Sequence, residues 1–96
     1  MKIDYKDSIV KLEDLKRNID SSTQVDEETK VNAKNHIDAV IKIIENPITS
    51  EEANEMKYEI EEHLSEVQNV PDVQSYAEAF KSIFKNIIDD KVLNKF

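Results

Sequence analysis

The chain of 96 residues contains no cysteine, no glycine and no tryptophan, and only two prolines. Without cysteine there is no disulfide framework, no thiol nucleophile and no cysteine-ligated zinc or iron–sulfur centre. Without glycine, the phosphate-cradling loops that need close backbone approach or positive φ are excluded, and so is the glycine-centred turn of an EF-hand calcium loop. Bases are scarce as well: 13 Lys+Arg face 21 Asp+Glu, for a net charge of −8, and Arg17 is the single arginine. A surface for nucleic acid needs clustered Lys and Arg. The small patch of Lys11, Lys16 and Arg17 is interleaved with Glu13 and Asp14, so direct nucleic-acid binding is not expected. The longest apolar run, Ala39-Val40-Ile41, falls far short of the roughly 20 residues of a membrane span. The segment Met1–Asp7 carries acids where a secretory signal needs an apolar stretch. These features lead us to expect a cytoplasmic protein with no membrane association.

What the chain does have is helical period. Tyr5, Ile9, Leu12, Leu15 and Ile19 fall on one stripe at roughly 100° per residue. The stripe ends in Asp20-Ser21-Ser22-Thr23, residues that favour turns and caps. A second helix opens on Asp26 as N-cap, with Glu27 and Glu28 at the positive end of its dipole. It buries Ala33, Ile37, Val40, Ile41 and Ile44 and stops at Asn46-Pro47. Thr49-Ser50-Glu51-Glu52 reads as a capping box, with Ile48 and Ala53 at the positions of a hydrophobic staple. The third helix buries Ala53, Met56, Ile60, Leu64 and Val67 and breaks at Asn69-Val70-Pro71-Asp72. The fourth has the widest apolar face: Val73, Tyr76, Ala77, Phe80, Ile83, Phe84, Ile87 and Ile88. Short breaks between helices favour antiparallel neighbours. The sequence therefore predicts an all-α, single-domain antiparallel four-helix bundle over approximately 4–19, 26–46, 50–68 and 72–90, with a C-terminal tail.

Two places break the pattern. If the fourth helix continued, Val92, Leu93 and Phe96 would fall opposite Phe80, Phe84 and Ile87. Ile3 and Val10, one heptad apart, lie on the back of the first helix. Either the chain bends or ends its helix near Asp89 and the tail folds back over them, or these five residues form a contact between chains. Monomer and homodimer both remain open.

The negative charge is concentrated. Residues 48–72 hold eight acids and one base, against five and five in residues 1–24. On a helical wheel Glu51, Glu52, Glu55, Glu59, Glu62 and Glu66 share an arc of roughly 100° beside the buried stripe. The row from Glu51 to Glu66 is about 22 Å long. Its like charges at i,i+4 each cost a few tenths of a kcal/mol, so the helix gains nothing from them. The plain alternative is a solvated acidic face that aids solubility. The functional one is docking onto a basic surface, with Tyr58 beside the row as an aromatic anchor.

Catalytic chemistry has little to build on. His36 and His63 sit on different helices, each at the edge of its stripe, the usual place of a structural histidine. The Glu-x-x-His pairs of a di-iron bundle are missing, since Ala33 and Ile60 stand where the glutamates belong. Glu59 and His63 are spaced i,i+4, but two ligands do not make a metal site. No serine–histidine nucleophile motif is present. No enzyme activity, cofactor or metal is expected.

The expected function is a non-enzymatic protein-binding module that covers a basic partner surface through Glu51, Glu55, Tyr58, Glu59, Glu62 and Glu66, of inhibitor, antitoxin or immunity type. In size, charge and class the chain is similar to the immunity proteins of nuclease bacteriocins, a likeness that rests on no shared motif. One alternative is a DNA mimic acting on a nucleic-acid-binding enzyme. The other is a structural or oligomeric module that uses Ile3, Val10, Val92, Leu93 and Phe96.

Overall fold

A computed structural model describes residues 5–91, with Lys91 described by its backbone alone: α1 (Tyr5–Asp20), α2 (Glu27–Glu45), α3 (Ser50–Val67), a 3₁₀ turn (Pro71–Val73) and α4 (Gln74–Lys91). The helix starts follow from their caps. The Asp26 carboxylate accepts the Thr29 N–H at 2.8 Å, and hydrogen bonding from the Thr29 side chain and then its backbone holds that carboxyl below its ordinary pKa. At α3 the capping box forms in full: the Glu52 N–H donates to Thr49 Oγ1 at 3.2 Å, and the Thr49 N–H donates to Glu52 Oε1 at 3.1 Å. Two orphan amides of the first turn are thereby satisfied by one pair of side chains. Asn46 ends α2, its N–H still bonded to the Lys42 carbonyl, and Pro47 prevents continuation. Val70 is held extended before Pro71, so the chain re-enters helix through a short 3₁₀ turn rather than at residue 72.

Successive helices run antiparallel. The end of α1 meets the start of α2, where Lys34 Nζ lies 3.0 Å from the Asp20 carboxylate and Lys30 donates to the Asp20 carbonyl. The start of α1 meets the end of α4, where the Tyr5 hydroxyl donates to the Asp90 carboxylate. α4 packs against α1, α2 and α3 alike, and α3 touches α2 only lightly. The cross-section is therefore a rhombus with α2 and α4 across its short diagonal. The core fills that diagonal: Tyr76, Phe80, Phe84 and Ile87 of α4 are buried with Leu12, Leu15, Ile19, Ile37, Val40, Ile60 and Val67.

One polar knot ties the end of the bundle where two connections meet. Ser22, buried between α1 and α2, donates its hydroxyl to the Asp72 carboxylate at 3.0 Å. Its oxygen accepts the N–H groups of Gln24 and Val25, each at 3.1 Å. The Thr23 N–H reaches Asp72 at 3.3 Å. The turn after α1 is thus fastened to the turn before α4.

The four-helix architecture is the expected one, with local differences. Ile43 is buried while Ile41 and Ile44 are only half-buried. Met56 is half-buried and His63 is fully buried. α4 runs through Asp89-Asp90 to Lys91, one residue past its expected end. Ile3, Val92, Leu93 and Phe96 lie outside the described residues.

Candidate functional site

The acidic row sits on α3, the helix with least packing against its neighbours. Glu51, Glu55, Glu59, Glu62 and Glu66 are all exposed, and Tyr58 beside them is 70% exposed. Among the described residues none of these five carboxylates has an ion-pair or hydrogen-bond partner. Glu52 belongs to the same arc but is engaged in the capping box. Lys57, the base of this helix, projects from another side.

The contrast with α1 and α2 is sharp. Those helices carry six described ion pairs, among them the cross-helix rungs Lys16–Asp38 at 2.8 Å and Lys34–Asp20 at 3.0 Å. The Asp38 carboxylate raises the Lys16 pKa, and the Lys34 ammonium lowers that of Asp20. Most of the acids on α1 and α2 have a base beside them; charge on the α3 row is left for solvent or for something else.

The row also borders a concavity. Glu55, Glu59, Glu62 and Glu66, with Tyr58 on the rim, form one wall of an open groove of about 540 Å³ between α3 and α2. Thr29, Asn32 and His36 supply the other wall, and His63 lies at its floor. Glu51 lies beyond the groove. The structure thus places five of the six expected residues around one groove and leaves Glu51 to extend the row toward the start of α3.

The floor holds the one buried titratable cluster among the described residues. The His36 and His63 rings stand 5.5 Å apart, tilted by 44°. His63 Nε2 and the Tyr76 hydroxyl are 2.8 Å apart, and the His63 ring meets Tyr76 and Phe80 edge-on. Burial, with His36 as the second cause, pushes the His63 pKa down to about 4. Burial also raises the Tyr76 hydroxyl above its ordinary value. At neutral pH the cluster is an uncharged hydrogen-bonded pair inside an apolar core. The sequence reading placed His63 at a stripe's edge. It is buried because His36 of α2 and Tyr76 of α4 close over that edge.

Other expected positions are less connected. Val10 is 57% exposed on α1, remote from the groove. Among the described residues no group of three or more His, Asp or Glu could hold a metal ion, and no helix is long and apolar enough to cross a membrane. Comparison of the chain with protein-family models, with curated proteins and with solved structures finds no match.

Proposed function

We propose that the chain is a non-enzymatic protein-binding module of inhibitor, antitoxin or immunity type, which covers a basic surface of a partner protein with the α3 row. The observation that carries this reading is the row's lack of internal compensation. Five exposed carboxylates stand together without a partner on a protein whose α1 and α2 join acids to bases across their seam. Repulsion along the row costs α3 a few tenths of a kcal/mol per i,i+4 pair. Lysines and arginines of a partner would reverse the sign of that term. Such a field steers association and fixes register, and both effects weaken with salt. Tyr58 supplies what the carboxylates lack, a rigid amphipathic surface able to be buried at the centre of a contact.

The test is capture of a basic protein from native lysate, eluted along a salt gradient. The chain with Glu55→Lys, Glu59→Lys and Glu62→Lys should lose that protein, a fall in affinity of roughly a hundredfold or more. A control with Glu45→Lys, Glu61→Lys and Glu78→Lys, equal in charge change but off the row, should keep it. Equal retention by the row variant and the wild type overturns the proposal. Competition by duplex DNA for the captured protein would assign its covered surface to a nucleic-acid groove.

A further inference from the structure

We propose that His63, with His36 and Tyr76, forms an acid-sensitive latch that fastens α3 to α2 and α4. The proposal does not rest on the docking role of the α3 row. Its first support is position. α3 is packed against α2 and α4, and this one cluster joins all three: His36 from α2, His63 from α3, Tyr76 and Phe80 from α4. The second support is chemistry. The neutral imidazole and the phenol satisfy each other through the 2.8 Å contact, because each can donate or accept. An imidazolium can only donate. It would leave the phenol proton without its acceptor and place a charge among Ile60, Val67 and Phe80, which are almost fully buried.

The charged groups that face the cluster set the direction of the response. From α2 it is His36, whose ring stands 5.5 Å away and whose electrostatic effect is the second cause, after burial, that lowers the His63 pKa. From α4 it is Tyr76, whose hydroxyl stays protonated. From α3 itself, Glu59, Glu62 and Glu66 line the groove above the ring; they attract a proton but stand in solvent, where attraction is weak. Burial outweighs them, and the folded-state pKa of His63 lies at about 4, below its ordinary value of 6.5. The released state therefore binds the proton more tightly than the packed state. The stability the latch provides is complete above pH 6.5 and is lost as the pH falls through the window toward 4.

Amide hydrogen exchange of the full chain at pH 7 and pH 5, corrected for intrinsic rates, tests this together with the His63 imidazole titration by NMR. One linked proton predicts that the opening equilibrium of α3 rises about twentyfold between the two pH values, while α1 and α2 change less. His63→Gln should flatten the response. His36→Gln, a change at a half-buried position, should reduce it without abolishing it, since it removes only the repelling neighbour. The inference is overturned if α3 opens no more than α1 and α2, or if the response survives in His63→Gln. Should His63→Gln fail to fold, the wild-type titration decides: a native His63 that titrates near its ordinary value overturns the latch. The row can fail as a docking surface with the latch intact, and the lysate capture reports that separately.

Discussion

α1 and α2 on one side, and α3 on the other, solve the same problem in opposite ways. Each is an amphipathic helix with a charged outer face. The first two match acids with bases across their seam, in rungs such as Lys16–Asp38 and Asp20–Lys34. α3 instead keeps its carboxylates together and without partners, and it presses less of itself against the rest of the molecule. An exposed ion pair contributes only about 0–1 kcal/mol, so the difference is not chiefly one of stability. It is a difference in what each surface offers a second molecule: a nearly neutral mosaic on one side, a field of one sign on the other.

Three perturbations test that contrast, in order of expected size. The largest strikes what both regions share. Phe80 is fully buried on α4, the helix on which α1, α2 and α3 all rest. Phe80→Ala should cost about 3–5 kcal/mol, and urea unfolding should lose α1–α2 and α3 in one transition. Separate transitions would mean that the two regions are energetically independent. An intermediate effect is expected at the knot between the turns. Ser22→Ala removes the hydroxyl that serves Asp72 and two backbone N–H groups and should cost about 1–2 kcal/mol, read as a lowered denaturation midpoint with unchanged slope. The smallest effect isolates the charges. Raising salt from 0.1 to 1 M should stabilise the wild type relative to Glu55→Gln/Glu59→Gln/Glu62→Gln by a few tenths of a kcal/mol, because only the wild type has repulsion to screen. Thermal melts of the two proteins at both salt concentrations measure this; identical salt responses would remove the special status of α3.

The parts of the fold readable in advance are those decided within a few residues. Asp26 and Thr49 cap the helices that their side-chain chemistry calls for, and Asn46-Pro47 ends α2 because of steric clash alone. The wide stripe of α4 is likewise a one-helix property, and it is buried almost throughout. The glutamate row was visible for the same reason, since a wheel needs no neighbour. What escaped was whatever depends on two helices meeting. His63 was misplaced because its burial requires α2 and α4 to close over it. Its pairing with His36 joins residues 27 apart in sequence. The groove is legible from neither wall alone, and the Ser22–Asp72 bond spans 50 positions between two turns that look independent in sequence.

The central place of α4 has a consequence for how the protein comes into being. Synthesis delivers residues 5–67 before any of the aromatic core of residues 76–84 exists. Until that segment emerges, Leu12, Ile37, Ile60 and their neighbours have no Tyr76, Phe80 or Phe84 to close over them. Until α4 is made, the nascent chain therefore carries an uncapped apolar seam, a state open to chaperones and to mispairing. Completion should be abrupt, because one segment supplies contacts to all three waiting helices at once.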